Sequence, residues 1–384
     1  MSEDIKWYEN DVDEDNSYSF KEYEVSSTPN DFNTKTIIDF IESGLFKIPG
    51  FQRNYIWDIK RASKLIESLI IGLPIPQVFL YEEGKNNYLV IDGQQRLLTI
   101  YFFYKKRFPK SEKRSEIRQI FNENNRIPDE YLHNDDYFSD FKLKLNDATI
   151  RDNKLDGLNY LTLGEFKTNF ELRTIRNIMI KQNVPTDDDS AMFEIFNRLN
   201  SGGVILKPQE IRTSLFHSNF YDQLYRLNLN SAWRTLINKP EPDLHMKDIE
   251  IMLRGFAMLL NGSNYSPSMT KFLNQFSKKS KSYTSETLSY LVEIFARFCQ
   301  YMADMDESVF LGKNSKFSIT VFESIFVAVC KDAVEHHSLD IRHVTPEAIT
   351  LLKDNVDFMA AAQQNTASKK NVESRLTLAC EILR

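Results

Sequence analysis

Five consecutive residues, Asp92-Gly93-Gln94-Gln95-Arg96, put a carboxylate, a glycine, two amides and a guanidinium where a β-rich run, Tyr88-Leu89-Val90-Ile91, gives way to the helical pattern of Leu97, Leu98, Ile100, Tyr101 and Phe102. The first backbone N–H groups of a helix have no partner within it, so a strand that turns straight into a helix presents an anion site above the turn. Gly93 lets the backbone come close, Arg96 can grip two phosphate oxygens, and Gln94 and Gln95 are neutral donors. Asp92 has three roles open to it: holding the turn, orienting Arg96 or a water, or binding Mg²⁺. On spacing alone the block fits either a phosphate or nucleotide site or a plain Asp-Gly turn before an exposed helix start.

A second cluster, Phe51-Gln52-Arg53-Asn54-Tyr55-Ile56-Trp57, has no helical period and follows Pro49-Gly50, so it reads as an extended loop or short strand. Arg53 on such a loop can reach the anion served by Arg96, while Tyr55 and Trp57 fit core anchors as well as they fit a site. In a third cluster, a helix carrying Phe193, Ile195, Phe196 and Leu199 breaks at Asn200-Ser201-Gly202-Gly203 and restarts after Pro208 with Gln209, Glu210 and Arg212. Paired glycines there mark a backbone that turns sharply or admits a ligand.

The elements that must hold these residues are legible around them. A short helix is expected from Asn33, as its cap, to a stop at Gly44, and a longer one from the cap Asp58, through Ile59, Ala62, Leu65, Ile66, Leu69 and Ile70, to Gly72. Gln77–Glu83 and Asn87–Ile91 read as a hairpin joined by Glu83-Gly84-Lys85-Asn86. Residues 108–160 are polar and weakly patterned, which reads as a loop-rich insertion. From about 220 onward Gly and Pro thin out and apolar residues recur at helical spacing, which predicts an all-helical domain over 221–384.

Residues 1–30 carry nine acidic and two basic side chains, the composition of a flexible acidic arm, whereas the remainder, with 45 acidic and 46 basic, is nearly neutral. Bulk charge therefore offers no signature of nucleic-acid binding. The three cysteines, Cys299, Cys330 and Cys380, are far apart and form no metal-ligand spacing, which fits a reducing compartment. The N-terminal residues lack a basic-then-apolar leader and no apolar run is long enough for a membrane span, so a cytoplasmic protein is expected.

Taken in order, IPGFQRNYIW, GLPIPQVFLYE, YLVIDGQQRLLTI and FNRLNSGGVILKPQEIR closely resemble the DUF262 family, the specificity and NTP-hydrolysing half of GmrSD-type type IV restriction systems. The resemblance spans about residues 35–220, and VESRLTLACEIL is similar to that family's usual ending. It implies an α+β protein: a ParB/sulfiredoxin-like nucleotide-binding domain over 31–220, ahead of the mainly α-helical domain. In that fold an extended Gln-x-Arg-type segment and a later Gly-x-x-Arg-type turn cradle a nucleoside triphosphate. Those features fall on Gln52 and Arg53 and on Asp92–Arg96. The site so implied has Asp92, Gln95 and Arg96 as catalytic residues, and Gln52, Arg53, Gly93, Gln94, Asn200, Gly203 and Glu210 as binding residues, with Mg²⁺ accompanying ATP, GTP or CTP.

The partners implied are DNA and a separately encoded effector or nuclease, with homo-oligomerisation open. The rival reading is a non-enzymatic DNA- or protein-binding module of the same fold. In fused relatives a nuclease domain carries a His-x-x-Pro core, which His343-Val344-Thr345-Pro346 matches superficially. Here, however, Thr345 and Pro346 are the natural cap and first residue of an amphipathic helix, so no nuclease is expected. His336-His337 reads as an exposed helix end, and Asp187-Asp188-Asp189 as a solvated helix start favourable to the helix dipole.

Overall fold

The computed structural model describes residues 6–9, 24–48, 55–114, 116–117, 120–121, 126–146, 152–184, 190–199, 207–243, 245–312 and 315–384. The chain divides into two compact units, residues 22–206 and residues 1–21 with 207–384. The first is mixed α/β and the second is almost entirely helical.

The α/β unit is built on five strands, β1 (Glu24–Asn33), β2 (Phe46–Lys47), β3 (Val78–Gly84), β4 (Asn87–Asp92) and, after a two-stranded ribbon of β5 (Arg107–Pro109) and β6 (Phe138–Asp140), β7 (Thr174–Val184). Their order across the sheet is β1-β7-β3-β4-β2. β3 and β4 form the expected hairpin, turning at Lys85-Asn86 with Asn86 at φ +59°. β7 runs parallel to β3 and antiparallel to β1.

Helices α1 (Thr34–Glu42), α2 (Ile59–Ile71), α3 (Gln94–Lys105) and α4 (Phe166–Leu172) pack with one face of this sheet. Ile38, Ile66, Leu69, Leu97 and Ile100 from the helices share a core with Val78, Leu80, Val90 and Ile175 from the strands. α5 (Ser190–Leu199) lies against β4, and Leu89, Val90 and Ile91 are all buried, which is why that strand reads as a continuous apolar run rather than an alternation.

Both expected caps are present. The Asn33 carboxamide accepts from the Thr36 N–H at 2.8 Å, and the Asp58 carboxylate from the Arg61 N–H at 2.7 Å, while α2 ends on Gly72 at φ +92°. Asp58→Ala should therefore cost about 1 kcal/mol of stability, measured as a lower urea midpoint with an unchanged slope.

Two features depart from the sequence reading. Residues 24–30, assigned by charge to the acidic arm, form the outer strand β1 and pair along β7. Their side chains are mostly exposed at a sheet edge, so composition carries little trace of the pairing. The 108–160 stretch is loop-rich as expected, but its apolar residues complete the core. Phe141 is fully buried, with ring centroids 5.2 Å from Phe103 and 5.0 Å from Phe108.

The second unit comprises α6 (Pro208–Phe216), α7 (Asn219–Leu227), α8 (Ser231–Leu236), α9 (Lys247–Asn261), α10 (Met269–Ser280), α11 (Ser285–Met305), α12 (Ile319–Glu335), α13 (Pro346–Asp354), α14 (Val356–Gln363) and α15 (Lys369–Ile382). α12 is buried along most of its length, and Trp233, Phe256, Phe295, Phe298, Phe322 and Phe326 form an aromatic core around it. Inside this apolar packing lie Arg254, Glu323 and Arg375, each at most 1% exposed. Tyr8–Glu9 adds a two-residue strand parallel to Phe317–Ser318. No described helix is long and apolar enough to cross a membrane.

Candidate functional site

β4 ends at Asp92, and Gly93 turns the chain at φ +100° into α3, whose first turn no side chain caps. Gly93 is required on two counts: the left-handed backbone, and a Cβ that would lie 2.9 Å from a Val78 methyl carbon. The turn therefore brings backbone amides close to Val78 at the start of β3, with the positive end of a 12-residue helix behind them.

Beneath the turn, Arg96 is held by several acceptors. Its Nη2 donates to Asp92 Oδ2 at 2.7 Å, and its Nη1 donates to the carbonyls of Pro76 and Gln77, the latter at 3.2 Å. Burial pulls the guanidinium below its ordinary value, against the opposing pull of Asp92, and it remains charged across the accessible pH range. The Arg96 side chain is 12% exposed and that of Asp92 40%, so the carboxylate faces solvent while the cation sits underneath. Of the three roles open to Asp92, orienting Arg96 is met directly by this geometry.

The two glutamines diverge. Gln94 is buried and turns its amide back to the Val90 carbonyl, at 3.4 Å. Gln95 points along the chain surface, where its Oε1 accepts from the Ile56 N–H at 3.0 Å. That bond sets the end of the FQRNYIW segment beside the start of α3. Tyr55 reinforces the join: its hydroxyl lies 2.8 Å from Thr99 Oγ1, which in turn donates to the Gln95 carbonyl at 2.6 Å. The Tyr55 ring also packs edge-on against Phe102 and Phe108, so this residue is a core anchor.

The remaining expected site residues divide. Gln52, Arg53, Asn200 and Gly203 lie outside the described residues, as do Gly202 and the Asp187–Asp189 run. Glu210 belongs to the helical unit, where its Oε2 accepts from the Lys207 N–H at 2.7 Å and caps α6. Two contributors were missed by sequence reasoning. The carbonyls of Pro76 and Gln77 receive Arg96; the signal lay in Pro74-Ile75-Pro76, an extended segment whose carbonyls need donors from elsewhere. Arg114, from the weakly patterned stretch, donates to the Trp57 carbonyl at 2.8 Å and lies over the Tyr55 ring.

Elsewhere, Thr345 caps α13 by accepting from the Ala348 N–H at 3.2 Å, and His343 lies edge-on to Tyr301. Among the described residues no group of three or more His, Cys, Asp or Glu is arranged to hold a metal ion.

Residues 34–217, a span that contains the whole Asp92–Arg96 turn, match the family model described as GmrSD restriction endonuclease, N-terminal domain. No curated protein and no solved structure matches the chain.

Proposed function

We infer from the match of residues 34–217 to the N-terminal domain of GmrSD restriction endonuclease that the chain has a part in a restriction system. From that premise we propose that it is the nucleoside-triphosphate-binding regulatory component of such a system, with nucleotide state controlling a separately encoded effector that acts on foreign or modified DNA. The observation that carries this reading is the uncapped start of α3 at Gly93, where a helix N-terminus, a partly exposed carboxylate and a buried guanidinium meet. Backbone N–H groups at the start of a helix donate to phosphate oxygens, and the helix dipole favours their charge.

The residues present fit such a ligand. The backbone around Gly93 and the Gln95 side chain would face the phosphates, with the Arg96 guanidinium beneath the turn as their counter-charge, and Gln52 and Arg53 would be further binding residues. Asp92 is the residue that would hold Mg²⁺, which usually takes one or two carboxylates and otherwise binds phosphate oxygens and water. When bound, the metal would neutralise phosphate charge. Asp92 also fixes the Arg96 guanidinium, so the cation is aimed before any ligand arrives.

A second reading rests on one specific observation: Arg96 already bonds Asp92 and two main-chain carbonyls, as it would in a non-enzymatic DNA- or protein-binding module that keeps the fold. Calorimetric titration of ATP, GTP and CTP with Mg²⁺, with and without DNA, together with phosphate release, separates the two. Saturable binding of at least one nucleotide is expected. No binding of any would leave the module reading.

Beside His343, Thr345 caps α13 as an ordinary helix start, and no nuclease activity is expected there. Purified protein should leave duplex DNA intact in Mg²⁺ or Mn²⁺, and cutting that disappears in His343→Ala would overturn this assignment.

A further inference from the structure

Lys6–Glu9 lie on the helical unit as a short strap. The Phe317 N–H donates to the Trp7 carbonyl at 3.0 Å, and Tyr8–Glu9 continue as a strand beside Phe317–Ser318. The Trp7 indole donates to Asp243 Oδ2 at 2.9 Å, and its ring centroid stands 6.2 Å from that of Phe317. Lys239 sits 5.6 Å over the Trp7 ring and Lys247 4.9 Å over the Tyr8 ring. The Glu9 carboxylate takes the space that a side chain at position 312 would need, in electrostatic reach of Lys353.

This is the anatomy of peptide recognition by strand addition: main-chain pairing for affinity, side-chain contacts for selectivity. Asp243 selects an indole N–H, the lysines select aromatic faces, and Lys353 favours a carboxylate beyond them. The dock is nonetheless shallow. Trp7, Tyr8 and Glu9 are only half-buried, and the strand pairing is two residues long. Beside it opens a cleft of ≈ 450 Å³ lined by Arg234, Asn238, Lys239, Pro240, Glu307 and Leu311. Lys239 is shared between strap and cleft, and Leu311 of the cleft bridges to Phe317 beside the strap, so strap and cleft adjoin.

We propose that this face of the helical unit is a recognition site for an extended, acidic peptide strand bearing adjacent aromatic side chains, supplied by a partner protein, and that residues 6–9 occupy it as an internal stand-in. A tethered ligand acts at an effective concentration in the millimolar range, so a second copy offering the same four residues would gain nothing at micromolar protein. A partner strand that also enters the cleft makes contacts the strap lacks and displaces it.

The test uses the full chain with Trp7→Ala/Tyr8→Ala, which vacates the dock by changing half-buried residues. A fluorescein-labelled peptide of residues 4–15 is the probe, read by anisotropy. The double variant should bind it at least tenfold more tightly than wild type, a peptide lacking the tryptophan should not bind, and Lys239→Glu should abolish the gain. Hydrogen exchange at the Phe317 amide should speed up in the variant and slow again with peptide. Trp7→Leu, which removes the indole bond to Asp243 but keeps an apolar side chain, should speed exchange at the same amide and covers the case in which the double variant misfolds. Equal peptide affinity in folded variant and wild type, with no change at Phe317, would overturn the proposal. So would a wild-type dimer that the double variant loses, since the occupant would then be a second copy.

Discussion

Glu323→Ala should destabilise the helical unit by about 3–5 kcal/mol, enough to unfold a domain of ordinary stability near physiological temperature. Glu323 is fully buried and is the shared anion of two arginines. Its Oε1 accepts from Arg254 Nε at 2.6 Å and its Oε2 from Arg375 Nη2 at 2.8 Å. Arg375 also donates to the Thr366 carbonyl at 2.6 Å, while its Nε is buried without a partner. Removing the carboxylate leaves two guanidinium groups in a low-dielectric interior without their shared counter-charge. The cost lies in stranding those charges more than in the bonds themselves. The triple variant Arg254→Met/Glu323→Leu/Arg375→Met should accordingly recover most of the loss, because an apolar trio of similar volume avoids the desolvation entirely.

Acid should act on the same machinery. Burial alone would raise the Glu323 carboxyl, but Arg254 and Arg375 outweigh it and hold it below the ordinary carboxylate range. Burial likewise opposes ionisation of Glu250, yet Lys247 and Arg212 hold it down to about 2. A carboxyl depressed in the folded state contributes stability above its unfolded value and loses it as pH falls. Stability should thus decline from a pH of about 4.3 downward. Urea titrations between about pH 3 and pH 7 should show this slope flattened in the apolar triple variant. A slope identical to wild type would place the acid sensitivity elsewhere.

Arg96→Ala should weaken nucleotide binding roughly 10-fold to 150-fold, the equivalent of one charge-assisted contact of about 1.5–3 kcal/mol at about 1.4 kcal/mol per decade. The geometry adds a second consequence. Because Arg96 ties Asp92 to the Pro76–Gln77 carbonyls, its loss should also lower the melting temperature. Arg96→Lys, which keeps the charge but not the fork, should recover less affinity than charge alone implies. Asp92→Asn is expected to reduce turnover more than affinity. Calorimetric titration with thermal melts decides among these outcomes: a lower melting temperature with unchanged nucleotide affinity in Arg96→Ala would make the arginine a brace for the turn and remove its part in the site.

How much of the site was legible depended on the range of the forces involved. The DGQQR turn could be read directly because its determinants are local: β-rich residues before it, a glycine in the left-handed region, and helical spacing after it. The division of labour between the glutamines could not be read. Nothing in Gln94-Gln95 distinguishes the amide that turns back to Val90 from the one that reaches Ile56, since that choice follows from which face of α3 meets the sheet.

By itself, the sequence determined the short-range elements: caps at Asn33 and Asp58, the hairpin before Asp92, the helix capped by Thr345, and the helical character of the second half. Each rests on contacts within a few residues, where residue type alone sets the energetics. The tertiary structure decided the rest. Strands β1 and β7 pair residues some 140 positions apart, as Asn33 with Thr174, and neither side announces the other in its own pattern. Arg96 acquired Asp92 and two main-chain acceptors in place of open solvent, and Glu323 acquired two arginines from helices far away in sequence. Burial makes such pairings strong, because a charge removed from water must find its counterpart wherever folding has placed it, and that position is set by the packing of whole elements.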